Sequence, residues 1–232
     1  MSGGNTLRLQ VIGKAGTTEE TVTVTDLVIA GWTGRNAEAI EKHIKELEDI
    51  GVPRPSTVPL FYRVGANLLT TAGEFEALGA DSSGEVEFVL FGTPSGMLIG
   101  VGSDHTDRKV ETYSVPVSKQ MCLKPVSRQV WRYEDVAPHF DQLVLRSWAT
   151  DAKGRRLYQE GAVTAMRTPA DLIGRHWNGA DRLPAGAAMY CGTLAVHGGL
   201  AAAPRFEVQI EDPVLGRRID HAYAVKPLPV IT

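Results

Sequence analysis

The chain has 232 residues, 24 basic and 27 acidic, for a net charge of −3, which argues against a protein built to coat nucleic acid. No apolar run approaches the ~18–20 residues of a membrane span, and the opening MSGGNTLRLQ lacks the basic-then-apolar pattern of a signal peptide. Two distant cysteines, Cys122 and Cys191, read as free thiols in a reducing compartment, so the expectation is a soluble cytoplasmic protein.

The apolar share of 43% and charged share of 22% are those of a globular chain; 24 glycines and 13 prolines beside only 7% aromatics favour a turn-rich, β-heavy fold. At this length the core needs no covalent staple. Leu7, Leu9 and Val11 alternate with polar residues and predict a strand; the run 21–29 predicts a second, and GKAG at 13–16 makes the pair a hairpin. The pattern then changes. Ala37, Ile40, Ile44, Leu47 and Ile50 step by three or four, which is helical, with Asn36 as N-cap and Gly51 and Pro53 as stop signals. Pro53, Pro55 and Pro59 form a stiff connector into the apolar run 60–64. EVEFVLF at 85–91 reads as a strand, GTPSG at 92–96 as a turn, and an apolar segment continues to Val101. The runs 141–150 and 156–166 flank a turn at 152–154 and predict another hairpin. Residues 168–176 predict a short helix capped by Thr168 with Pro169 in its first position. Short strands between Gly/Pro turns fill 187–225, with a turn at 213–216. No repeat or linker interrupts the chain, and one mixed, mainly β domain is the simplest reading.

Period two places Glu85 and Glu87 on one strand face, opposite Val86, Phe88 and Leu90. Carboxylates so spaced are ~6–7 Å apart along the strand and can share one cation if their side chains converge. A third oxygen would come from the polar cluster Ser103-Asp104-His105-Thr106-Asp107-Arg108. All-oxygen ligation suits Mg²⁺, Mn²⁺ or Ca²⁺ rather than Zn²⁺. By itself a Glu-x-Glu pair is also what a solvated strand face looks like, and the cluster also reads as a polar loop. Asp104 and His105 leave a zinc reading open, although the remaining histidines, 43, 139, 176, 197 and 221, lack paired ligand spacing. His43 and Glu46 are neighbours on the surface of the predicted helix; they are either a general-base dyad or a helix-surface pair. There is no G-x-S-x-G, P-loop or dinucleotide G-x-G-x-x-G, so serine-hydrolase and nucleotide chemistry have no support.

Taken in order, these pieces resemble the fumarylacetoacetate hydrolase superfamily over most of the chain, in particular an uncharacterised subgroup with a shortened middle. The family's G-x-N-Y, H-x-x-E-L and P-x-x-P-x-x-F blocks resemble Gly34-Arg-Asn36, His43-Ile-Lys-Glu46-Leu47 and the stretch 53–61. Its E-x-E-L strand resembles Glu85-Val-Glu87-Phe88. Its Asp, hydroxyl and Arg block resembles Asp104, Thr106 and Arg108. Lys119 followed by Pro125 matches the next lysine block, Gly154 to Gln159 the N-G-x-x-x-Q block, and Leu183 to Thr193 the closing L-x-P-G block. The chain departs from the pattern with Ala37 after Asn36, three extra residues before His43, Lys109 for an Asp, Glu111 for a Gln and Leu194 for a Pro.

The resemblance implies an α+β, mainly β fold: a mixed β-roll around a metal site with a helical lid. Residues 1–232 would form one domain, 1–64 giving the N-terminal strands and lid helix and 65–232 the catalytic roll. It implies an Mg²⁺- or Mn²⁺-dependent hydrolase or decarboxylase, with Ca²⁺ as a stand-in in crystals, cleaving a C–C bond in a small 2-oxo or β-diketo acid. Glu85, Glu87 and Asp104 would hold the metal. His43, oriented by Glu46, would activate water, with Lys119 as the third catalytic group. Arg108, Lys119, Gln159 and Thr193 would bind substrate, unless Arg108 simply braces Asp104. The departures keep two alternatives in view: an isomerase, tautomerase or hydratase of a 2-oxo acid on the same site, and a non-catalytic oxo-acid or metal-binding protein. Expected partners are the small oxo-acid and a second copy in a homodimer, with no nucleic acid and no membrane.

Overall fold

Strands carry most of the chain in this computed structural model, which describes residues 3–14, 16–48 and 54–231, the side chains of His43, Glu46 and Leu47 excepted. Eight strands form the main sheet in the order Gly16–Val24, Asn5–Gly13, Gln129–Arg132, Gly96–Ser103, Val86–Thr93, Ala187–Thr193, Asp26–Gly31, Leu60–Val64. A second sheet of five runs Gly154–Ala162, Val144–Asp151, Arg205–Asp212, Arg217–Leu228, Glu74–Leu78. The fold is mainly β, as expected.

The main sheet is curled. Leu7, Leu9, Val22 and Val24 from one end share a core cluster with Leu27, Ile29 and Val64 from the other, and with Val89, Phe91 and Tyr190 between them. Only a sheet bent into a half-barrel brings its two ends onto one core. The convex side packs on the five-stranded sheet, joining Val86, Phe88, Leu90 and Ile99 to Leu145, Val208, Ile210 and Ile219. The helix Pro169–His176 contributes Leu172 and Ile173 to this second core. Val86–Thr93 is therefore buried along its whole length, as its near-continuous apolar text requires of a strand covered on both faces.

The N-terminal hairpin holds, with Leu7 opposite Val22. The run 21–29 is not one strand, however. It breaks at Thr25, and Asp26–Gly31 crosses to the far side of the sheet, where it pairs in parallel with Ala187–Thr193 and antiparallel with Leu60–Val64. The expected helix is Ala37–Glu48, and Asn36 caps it by accepting the Ala39 amide at 3.1 Å. The hairpin Val144–Asp151/Gly154–Ala162 and the helix Pro169–His176, capped by Thr168, also agree with the sequence. A further helix, Val115–Met121, carries Lys119 and was not anticipated; two turns leave no periodicity to detect. Gly51 and Pro53 lie outside the described residues. Among the described residues no helix is long and apolar enough to cross a membrane.

Candidate metal centre

The carboxylates meet where two central strands end. Val86–Thr93 and Gly96–Ser103 pair antiparallel with Val86 opposite Ser103. Beyond that pair the chains stay tied: the Asp104 amide donates to the Glu85 carbonyl at 3.0 Å, and the Glu85 amide to Ser103 Oγ at 3.0 Å. Glu87 shares a face with Val89 and Phe91, on the concave side of the curl. The result is that Glu85, Glu87 and Asp104 each place an oxygen within 4.8 Å of the others. Three carboxylate oxygens so close suit a hard divalent cation, and the chemistry of the set fits Mg²⁺, Mn²⁺ or Ca²⁺.

Glu87 is 2% exposed, and a strand irregularity holds it. The register of Ala187–Thr193 against Val86–Thr93 shifts between Tyr190 and Thr193. Gly192 there has φ +104°, and its amide donates to Glu87 Oε2 at 2.6 Å. A Cβ at Gly192 would come within 1.7 Å of the Thr33 hydroxyl, so both conformation and space require glycine. Burial, with the charges of Asp104 and Glu85 beside it, pushes the Glu87 carboxyl well above its usual range.

Asp104 is fully buried and sits between two lysines. Lys119 pairs with Oδ2, and Lys124, itself wholly buried, lies 2.8 Å from Oδ1 while donating to the His105 carbonyl at 2.6 Å. Burial alone would raise the Asp104 carboxyl; the two ammonium groups overcome that and hold it below the usual carboxylate range. Lys119 also lies 3.8 Å from Glu85 Oε2. Burial would lower its ammonium, yet Asp104 and Glu85 keep it raised and charged. Its Nζ stands 5.8 Å from the centre of the Tyr62 ring.

Arg108 braces Glu85, at 3.0 Å, and Glu111, at 2.8 Å; it does not brace Asp104. Its Nε donates to Ser83 Oγ at 2.7 Å, and its Nη2 is buried with no hydrogen-bond partner. The guanidinium borders a cavity of about 340 Å³ shared with Asp81, Lys109 and Leu200.

Gln159 and Thr193, the other two expected substrate contacts, have their side chains engaged within the fold. Gln159 is fully buried and accepts from the Val86 amide and Ser147 Oγ, both at 2.9 Å. It donates to Thr193 Oγ1 at 2.8 Å and to the Leu194 carbonyl at 2.7 Å. Every hydrogen-bonding position of its amide is used within the fold, and these bonds tie the strand ends together. The Thr193 hydroxyl proton is likewise spent on the Val86 carbonyl at 2.9 Å, leaving none to donate to a carboxylate. The zinc reading of His105 closes in the same way. Nδ1 is engaged by Tyr223 Oη at 3.1 Å and Nε2 by Ser82 Oγ at 2.9 Å, while burial lowers the ring's pKa to about 3.

The side chains of His43 and Glu46, the expected dyad, lie outside the described residues. The chain entering their helix does pass the site. Thr33 lies against Gly192, and Trp32, at φ +57°, precedes it and hydrogen-bonds Tyr62. Trp32, Tyr62, Lys124 and the Gly192 amide were missed in the sequence. Lys124 had a signal, as the lysine directly before Pro125, and Gly192 had one as part of the closing block 183–193; the other two are assembled by strand crossings that no local pattern encodes.

Comparison with known proteins agrees with this architecture. The profile of the family described as "Protein of unknown function (DUF2848)" matches residues 30–223, and the chain belongs to that family. No curated protein matches it in sequence. Among solved structures it is similar to a fumarylacetoacetate hydrolase family protein of yeast, with TM-score 0.64 and 15% identity over 90% of this chain and 95% of that one. A candidate fumarylpyruvate hydrolase from Burkholderia cenocepacia gives 0.59 and 19% over 96% and 93%. A 2-keto-3-deoxy-D-arabinonate dehydratase in its apo form gives 0.60 and 16% over 94% and 78%. At these identities the likeness shows the fold, which is of the fumarylacetoacetate hydrolase type.

Proposed function

We propose that this member of the DUF2848 family is a divalent-metal-dependent enzyme, a hydrolase or decarboxylase that cleaves a C–C bond in a small 2-oxo or β-diketo acid. The observation that carries the reading is the convergence of Glu85, Glu87 and Asp104 within 4.8 Å, beside a buried lysine, in a fold of this type. Bound there, Mg²⁺ or Mn²⁺ would supply a Lewis acid for negative charge developing on a substrate carbonyl oxygen.

The chain's own residues divide the remaining work. Glu85, Glu87 and Asp104 hold the cation. Lys119 anchors a substrate oxygen, and Arg108 offers Nη2 as a second donor to a carboxylate. His43, oriented by Glu46 on Ala37–Glu48, takes the proton from water in the hydrolytic case. Decarboxylation needs no such base. The matching assembly is a homodimer in the cytoplasm, read by sedimentation and fractionation.

A second reading keeps the site and changes the outcome to dehydration or isomerisation of a 2-oxo acid, and the similar fold of the dehydratase favours keeping it. One screen separates the readings. Mn²⁺-loaded protein is incubated with a panel of 2-oxo and β-diketo acids and products are weighed by mass spectrometry. Cleavage gives two fragments or CO₂, dehydration loses one water, and isomerisation conserves mass. No product from any substrate, with Glu87→Gln indistinguishable from wild type in Mn²⁺ binding, overturns the metal-enzyme reading.

A further inference from the structure

Lys124 is the least expected group in the molecule. It is 0% exposed, and its ammonium meets Asp104 Oδ1 and the His105 carbonyl. A lysine placed to hold a turn could do so from the surface; one buried whole against a candidate metal ligand changes the charge the cation meets. Four carboxylates, Glu85, Glu87, Asp104 and Glu111, face three cations, Arg108, Lys119 and Lys124, leaving the cluster one negative charge when all are ionised. Without Lys124 it would carry two, enough to neutralise a divalent cation unaided.

We propose that Lys124 is a built-in counter-ion that prevents the carboxylate cluster from holding a divalent cation tightly on its own, so that the cation is retained together with the carboxylate of a small monoanionic oxo-acid. The proposal rests on the metal-centre reading above. With Lys124 on Oδ1, the other oxygen of Asp104 is the one that Lys119 covers. A cation held by the three carboxylates would share Oδ2 with the Lys119 ammonium, whose Nζ stands 5.8 Å from the centre of the Tyr62 ring. The cluster then carries one surplus positive charge, and a single carboxylate answers it. Lys124 is in this sense a positioning residue: it touches Asp104 and sets what the cation requires of the substrate. Because linkage is reciprocal, whatever anion strengthens cation binding has its own binding strengthened by the same factor.

The test is calorimetric titration of Mn²⁺, with and without pyruvate, into wild type and Lys124→Met, which keeps the stem and removes the charge. In wild type, pyruvate is expected to tighten Mn²⁺ at least ~10-fold, within the usual range of coupling between sites. Lys124→Met is expected to bind Mn²⁺ alone at least ~10-fold tighter than wild type, with the pyruvate effect reduced below ~3-fold. A purely structural lysine predicts the opposite sign, since losing it would loosen Asp104 and weaken Mn²⁺. Equal or weaker Mn²⁺ binding by a folded Lys124→Met overturns the inference and leaves the metal centre standing. Absence of Mn²⁺ binding in both proteins, with and without pyruvate, overturns the metal centre and the inference with it. Should Lys124→Met not fold, Lys124→Gln takes its place, and a wild-type pyruvate effect under ~3-fold is by itself enough to overturn the proposal.

Discussion

Two charged regions of this protein use the same residue types and solve their electrostatics differently. On the outer face of the five-stranded sheet, acids and bases alternate: Arg146 pairs with Glu160 and Glu211, Arg155 with Glu207, and Gln209 donates to Asp220. Arg155, Glu207, Gln209 and Asp220 border a cavity of about 540 Å³ beside Trp148, whose ring Arg155 covers at 4.2 Å. At the strand ends inside the curl, three acids instead face one another, and Glu87 has no base of its own. Alternation in solvent costs little and contributes little. Like charges held together under cover are costly, and a fold keeps them when the cost serves a ligand.

Breaking the inner cluster should have the largest effect. Glu87→Gln keeps shape and the Gly192 contact but removes the charge a cation needs. Turnover at saturating Mn²⁺ should fall ~10³-fold, the scale of losing a group that serves the transition state. The melting temperature should hold or rise, because a carboxyl with a raised pKa stabilises the fold only where it is protonated. Full turnover would make the inner cluster no different from the ladder of alternating acids and bases on the outer face. Next comes Gln159→Leu, which deletes four hydrogen bonds, three of them buried, and strands the Val86 amide. Urea unfolding should show a loss of ~2–4 kcal/mol; a loss under ~1 kcal/mol would mean that the strand ends are held by other means.

His221 sharpens the boundary between the regions. It borders the outer cavity yet stacks on Tyr223, whose hydroxyl reaches His105. Burial lowers its pKa to about 4, below the ordinary 6.5, so the unfolded chain binds the extra proton between those values. Stability from this group is complete above pH 6.5 and is lost as pH falls toward 4, by up to ~3 kcal/mol. His105 acts with the same sign. Unfolding curves across pH 7 to 4 should therefore be flatter in His221→Phe than in wild type, and an unchanged slope would place the dependence elsewhere. The smallest effect is expected on the ladder: Glu160→Gln should cost less than ~1 kcal/mol and less still in 1 M salt. A larger, salt-insensitive loss would show that the outer face is not the solvated surface it resembles.

What could be read from the text follows the range of the interactions. Hairpins, the capped helices at 37–48 and 169–176, and the shared face of Glu85 and Glu87 depend on neighbours a few residues away, and each was legible. The order of Glu85, Glu87, Asp104, Arg108 and Lys119 was legible through family resemblance. The break at Thr25 was not, because a strand that leaves one partner for another keeps the same β-rich composition. Polar residues near a site, such as Gln159 and Thr193, look alike in a string of letters. Only the count of filled hydrogen-bond positions shows that theirs are used internally. Lys124 was overlooked for a related reason: composition treats a lysine as surface, and its strand pairs with Leu69–Thr70, a segment distant in sequence.

The strand Ala187–Thr193 enters the main sheet between Val86–Thr93 and Asp26–Gly31, two segments made long before it. During synthesis the ribosome must pass residue 193 before the centre of that sheet can close, and Glu87 waits for the Gly192 amide across 105 residues of sequence. Pairings of such separation nucleate slowly and leave hydrophobic edges open in the interval. The nascent chain therefore spends most of its translation as an unfinished curl, and the candidate metal centre is among the last features to assemble. Recovery of cation binding after dilution from urea should accordingly coincide with the slowest refolding phase, never precede it.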